Sequence, residues 1–222
     1  AIAWNPGGSR LATSEGHTIR IADEFGNTIC RLTGHNGDIH RLAWVDDTSL
    51  VSAARDQTIR NWDIEKSDEM SRYKIHGEPV EHLALGLRDT ILSAGGDRVR
   101  VTKLSSRQRE SASRIVIGDS SESTAYATNP SDEKNTIVEL KWSPKGTQIC
   151  AVGEISHGGS VGGACGVWSS ASLRGINAYK TNLCKGNTWS LDGTQLLRAA
   201  VGNRMQADEF RTGTPIQSIK CT

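Results

Sequence analysis

Apolar residues fall along the chain in short runs that never sustain a helical stripe over three turns. One stretch shows the pattern: Ile39, Leu42 and Trp44, then Leu50 and Val51, then Ile59 and Trp62. Runs this short, rich in β-branched and aromatic residues, predict strands. Between them stand turn formers: Asn5-Pro6-Gly7-Gly8, Asp46-Asp47, Ser143-Pro144-Lys145-Gly146 and Asp192-Gly193. Glycine and proline there break any continuing element, so each run is expected to hairpin into the next.

The pattern also repeats. AIAWNPGGSRLATS, RLAWVDDTSLVSAA, HLALGLRDTILSAGG, ELKWSPKGTQICAV and NTWSLDGTQLLRAA align on Trp4, Trp44, Leu85, Trp142 and Trp189, at steps of 40, 41, 57 and 47 residues. A four-stranded propeller blade takes roughly 40–45 residues, so the longer steps imply insertions. A lone four-stranded sheet cannot bury both faces, and stacking successive units solves that problem. The expectation is an all-β, single-domain β-propeller of about five four-stranded blades, near 1–34, 35–78, 79–120, 135–182 and 183–222. A polar loop rich in Ser, Thr, Asp and Glu is expected to be inserted at 118–134.

The second unit carries the sharpest motif: Gly34-His35, then Ser52-Ala53-Ala54-Arg55-Asp56, then Ile59-Arg60-Asn61-Trp62-Asp63. With both its Gly-His and Trp-Asp pairs in place, the chain resembles a WD40 repeat protein. The resemblance implies a structural tetrad of His35, Ser52, Asp56 and Trp62. It covers the whole chain as architecture and is sharp over about the first 105 residues. Unit 1 has Ala22 at the Trp position and unit 3 has Thr102, although unit 3 keeps His76, Ser93 and Asp97. Unit 4 keeps Trp168 and unit 5 has Phe210 near its expected end. WD40 domains commonly have seven blades closed by a shared strand, whereas this chain opens on an innermost strand and ends on an outermost one. Five blades, an open array and a piece of a larger propeller all fit that arrangement, and the absent initiator Met favours the piece.

Composition narrows the function classes. The chain has 222 residues, 36% hydrophobic and 23% charged, with 26 Lys and Arg against 25 Asp and Glu and a formal charge of +1. So balanced a surface lacks the cation excess of a dedicated polyanion or membrane-surface binder. Nowhere do about 18 apolar residues run together, as a spanning helix needs. Cys30, Cys150, Cys165, Cys184 and Cys221 are an odd number, widely spaced and without a CxxC pair. They are expected to be reduced thiols of an intracellular, cytoplasmic or nuclear, protein.

Ser52, His35 and Asp56 have the residue types of a catalytic triad, but their order and spacing are those of the tetrad, and no oxyanion-hole motif accompanies them. Neither a metal-ligand spacing nor a nucleotide motif is present, so no metal, cofactor or enzymatic activity is expected. The run Gly158 to Gly163 lacks the Lys and the helix of a phosphate loop and is expected to be a long strand connection. Arg98, Arg100, Lys103, Arg107, Arg109 and Arg114 form a local basic patch that offers a nucleic-acid alternative, although no aromatic accompanies them for base stacking. The recurrent Arg20, Arg60 and Arg100 are expected to lay their stems along a blade with guanidinium groups at an edge or an interblade contact.

The resemblance implies a partner-binding face at the start of the innermost strands and just before the tetrad Asp. Carried over, the positions are Glu15, Asp38, His40, Arg55, Pro79, Glu81, Thr136 and Val138, with Gly96 beside them. Their mixed charge suits a polar peptide. The function expected is a non-enzymatic scaffold for other proteins, with no membrane and no small-molecule substrate.

Overall fold

The computed structural model describes residues 1–86, 90–96, 98–104, 113–116, 134–157, 160–170, 175–181, 184–200, 204–209 and 215–220. Every regular element among them is a strand. The chain divides into two compact units, one formed by Ala1–Gly96 with Arg100–Arg114, the other by Asp97–Val99 with Ile115–Thr222.

The first unit holds two complete sheets and most of a third. The first sheet runs β1 (Ile2–Trp4), β2 (Arg10–Glu15), β3 (Thr18–Asp23) and β4 (Thr28–Leu32), in that order and antiparallel throughout. The second repeats the plan with β5 (Ile39–Trp44), β6 (Ser49–Ala54), β7 (Ile59–Asp63) and β8 (Asp68–Tyr73). The third is β9 (His82–Leu85), β10 (Thr90–Gly95), β11 (Arg98–Lys103) and β12 (Ser113–Val116), the last two crossing the boundary between the units.

Alternation along the strands gives each sheet two apolar faces, and stacking buries them. Ala12, Ile19, Ile21 and Leu32 of the first sheet pack on Leu42, Trp44, Leu50 and Trp62 of the second. From the other face of the second sheet, Val51, Ala53 and Ile59 meet Val80, just before β9, and Ile91 on β10. Trp44 is 6% exposed and its indole Nε1 donates to the Ala3 carbonyl at 3.0 Å, whereas its counterpart Trp4, on the outer face of the first sheet, is 52% exposed. At the turn end of the strands Asp47 adds a polar stitch. It accepts from Asn5 Nδ2 at 2.6 Å and from the Gly7 amide at 2.8 Å, tying the first sheet's hairpin to the second.

The second unit holds two more antiparallel sheets: β13 (Lys134–Trp142), β14 (Gln148–His157), β15 (Ser160–Ser169) and β16 (Gly175–Thr181), then β17 (Cys184–Trp189), β18 (Gln195–Ala200), β19 (Arg204–Glu209) and β20 (Pro215–Lys220). Cys150, Val152, Cys165 and Val167 pack with Trp189 and Leu196 between them. Across this contact Glu139 Oε2 accepts the Asn187 amide at 2.7 Å, and Lys141, paired with Glu139 at 2.9 Å, donates to the Asn187 carbonyl.

One expectation for this unit needs correction. The glycine run is not a long loop, because β14 extends to His157 and β15 starts at Ser160, pairing Glu154 with Gly163 and His157 with Ser160. Glycine is neutral enough there for two ten-residue strands to continue through it, since main-chain ladder bonds need no side chain. Only residues 158 and 159 of the run lie outside the described residues. Most of the expected polar insertion at 118–134 also lies outside them, and Lys134 opens β13.

Candidate functional site

The second sheet brings its four motif residues into one hydrogen-bonded chain. β6 presents Ser52, β7 presents Trp62, His35 lies just before β5, and Asp56 occupies the turn between β6 and β7. Trp62 Nε1 donates to Ser52 Oγ at 2.9 Å, Ser52 Oγ lies 2.7 Å from His35 Nε2, and His35 Nδ1 lies 2.8 Å from Asp56 Oδ2. A carboxylate can only accept, so the imidazole proton sits on Nδ1. Nε2 then accepts from the Ser52 hydroxyl, whose oxygen takes the indole proton.

Two neighbours that the sequence reading passed over complete the carboxylate's shell. Thr58 donates its hydroxyl to Asp56 Oδ1 at 2.6 Å and its amide to the same atom at 3.0 Å, and the Asn36 amide reaches Oδ2 at 3.0 Å. A Thr two residues after an Asp turn is a sequence signal for such a bond. Burial pushes Asp56 upward, but the bonds from Thr58, Asn36 and His35 outweigh it and hold the carboxyl at about 2. Desolvation lowers the pKa of His35, against the pull of Asp56, which keeps the ring neutral and agrees with the proton placement.

Arg60 is buried, with its guanidinium turned toward the edge strand β8 and 5.9 Å from the Trp62 ring centroid. Nη1 is ion-paired with Glu69 on β8, and Nη2 stands 3.9 Å from Asp56. The pairing with Glu69 and the Trp62 face offset part of the hydration that a buried guanidinium loses, while Nε is buried without a hydrogen-bond partner. Gly34 makes room for it: its φ is +149°, and a Cβ there would fall 2.5 Å from Arg60 Nη1. Arg20, by contrast, is half-exposed and donates to Thr28 Oγ1 at 2.8 Å and to the Gly26 carbonyl at 2.6 Å.

The connectivity is that of a serine nucleophile, base and acid, but Ser52 is 0% exposed and its oxygen already receives the Trp62 proton. Substrate has no route to it. What the arrangement does is hold a turn. With Asp56 fixed, the Arg55 amide bonds the Asp38 carbonyl at 2.8 Å, which joins the β6–β7 turn to the entry of β5.

Further main-chain bonds knit this end of the first unit together: Ile39 N to Gly16 O at 3.0 Å, Val80 N to Ala54 O at 3.1 Å and Glu81 N to Ala94 O at 2.9 Å. The loops so joined present Glu15, Asp38, Arg55 and Glu81 as exposed side chains, with His40, Pro79 and Gly96 half-buried among them. Glu15 is not unengaged, since it pairs with Arg31. Thr136 and Val138 belong to the other unit and sit inside β13 instead of at its start, because that strand begins two residues earlier, at Lys134, and Val138 falls at a bulge between Ile137 and Glu139. Of the basic patch, Arg100 and Lys103 lie on β11 and Arg98 and Arg114 within strands, while Arg107 and Arg109 fall outside the described residues. Among the described residues no His, Cys, Asp and Glu cluster could hold a metal ion. No helix there is long and apolar enough to cross a membrane.

Comparison with known proteins fits this geometry. The family described as "WD domain, G-beta repeat" matches residues 26–63, the span that contains the hydrogen-bonded chain. WD repeat-containing protein 1 of Xenopus tropicalis is 24% identical over 144 residues, 61% of this chain and 24% of that protein. The nuclear distribution protein PAC1 of Candida albicans is 29% identical over 136 residues, 58% of this chain and 28% of that protein. The ribosome biogenesis protein YTM1 of Scheffersomyces stipitis is 30% identical over 102 residues, 39% of this chain and 22% of that protein. The chain therefore spans about a quarter of the length of these relatives.

Proposed function

The chain is a WD40 repeat protein of the β-propeller class, and from that premise we propose that it is a non-enzymatic platform on which other proteins assemble inside the cell. The observation that carries this reading is the stitched loop end of the first unit. Four main-chain bonds, Arg55 to Asp38, Ile39 to Gly16, Val80 to Ala54 and Glu81 to Ala94, fix loops from three sheets while Asp38, Arg55 and Glu81 stay exposed. Loops held in this way lose little entropy on binding, so their polar side chains offer a preorganised surface. Partners would read it through hydrogen bonds and a few anchor contacts rather than through chemistry. The names of the relatives point to nuclear distribution and ribosome biogenesis, and they select no partner for this chain.

The test is affinity capture from a lysate of the source cells with the wild-type chain and with an Arg55→Glu/Glu81→Lys variant of unchanged circular dichroism. A discrete partner set lost by the variant supports the face. An identical set on both proteins removes it.

A further inference from the structure

Two buried thiols in the second unit are in direct contact. Cys150 on β14 and Cys165 on β15 are 0% and 1% exposed, and their sulfurs are 3.6 Å apart. The register explains the approach: Cys150 pairs with Val167 and Val152 with Cys165, so the two cysteines are diagonal neighbours on one face of adjacent strands. That face packs against Trp189 and Leu196, and the intervening chain is a single hairpin. Cys30, in the other unit, is half-buried.

We propose that Cys150 and Cys165 form a reversible dithiol–disulfide site that staples β14 to β15. The oxidant is a low-molecular-weight disulfide such as oxidised glutathione. One cysteine thiolate attacks it, forming a mixed disulfide and releasing one glutathione thiolate. The second cysteine thiolate then attacks the protein sulfur and releases the other. Two protein thiols and one glutathione disulfide thus become one protein disulfide and two glutathione thiols, and the two protons pass to solvent or to the released thiolates.

Closure brings the sulfurs from 3.6 Å to about 2.05 Å. Diagonal partners on adjacent strands are spaced more widely than directly opposed ones, so the bond requires rotation of both side chains and a small shear of the strands. A bond made at that cost is readily reduced, which suits a reversible site. Because both sulfurs are buried, exchange proceeds through opening of the sheet, and mild denaturant speeds it.

Trypsin provides a direct readout, since no Lys or Arg interrupts residues 146–174 and both cysteines fall in one peptide. The intact protein is equilibrated in glutathione buffers of increasing oxidised fraction, quenched with an alkylating agent in denaturant, and digested. The expected result is peptide 146–174 without alkylation and lighter by about 2 Da, the mass of the two hydrogens lost when a disulfide forms. Dithiothreitol should reverse the loss, Cys184→Ser/Cys221→Ser should leave it unchanged, and Cys165→Val, which keeps the site apolar, should abolish it. Full alkylation of both cysteines at every ratio would overturn the proposal. So would a stable glutathione adduct on either one, or a cross-link to Cys184 or Cys221 in the wild type.

Discussion

The second and third sheets share a buried His–Ser pair and differ at the Trp position. Both place a buried His before the first strand and a buried Ser on the second: His35 Nε2 and Ser52 Oγ are 2.7 Å apart, His76 Nε2 and Ser93 Oγ 2.9 Å. Where the second sheet has Trp62, the third has Thr102. Trp62 fills the core facing the first sheet and gives Ser52 a second hydrogen bond, whereas Thr102 is buried with its hydroxyl unpartnered. The His–Ser bond is therefore made without the indole, and in the second sheet the indole adds a donor to Ser52 at the core end of the chain that reaches Asp56.

Ser52→Ala and Ser93→Ala test this comparison with the largest expected effect. Removing Ser52 strands two buried groups, the Trp62 indole N–H and His35 Nε2, and is expected to cost about 2–3 kcal/mol. Ser93→Ala breaks a single such bond in its dyad, at about 1 kcal/mol. Urea unfolding monitored by tryptophan fluorescence reads both values. Equal losses would show that the indole bond adds nothing to the second sheet.

Acid sharpens the same contrast. Asp56 titrates at about 2 in the folded chain against 3.8 ordinarily. Its native form binds the proton later than the unfolded form, so its stabilisation is complete above pH ~4 and is lost as pH falls toward 2. That contribution is about 1–2 kcal/mol after allowance for solvent screening on its open side. His35 is also depressed, so the unfolded chain takes up a proton first as pH drops below ~6.5, and stability begins to decline there. An Asp56→Asn variant should retain the decline below pH 6.5 and lose the one below pH 4, as read from urea midpoints across pH. An unchanged profile below pH 4 would mean that Asp56 is not the group responsible.

Much of this was legible before any coordinates. Trp4, Trp44, Leu85, Trp142 and Trp189 close the first strands of five sheets, a repeat that was legible because strand alternation and turn punctuation are local, and locality is what a sequence displays. The tetrad was legible through the family resemblance that the Gly34-His35 and Trp62-Asp63 pairs carry. The burial of Arg60 was not legible because it depends on Glu69, on the adjacent edge strand, and on the missing Cβ of Gly34, neither of which belongs to a strand pattern. The glycine run was misread because glycine signals loops on average, while β14 and β15 are held through it by main-chain pairing. Thr136 and Val138 were misplaced because β13 begins at Lys134, before the expected start of the strand.

The smallest effect concerns Thr102 itself. Its hydroxyl is buried without a hydrogen-bond partner, so the folded state carries the desolvation cost of a group that water satisfies in the unfolded chain. Thr102→Val keeps the β-branched shape that suits a strand and removes that cost. The expected outcome is a stabilisation of about 0.5–1 kcal/mol, seen as a higher urea midpoint with an unchanged slope. The corresponding loss of a polar group in the second sheet, Trp62→Phe, should act in the opposite direction, because it strips Ser52 of a donor that is in use. A destabilised Thr102→Val variant would mean that the hydroxyl contributes to the third sheet, and that the two sheets differ less than Trp62 and Thr102 suggest.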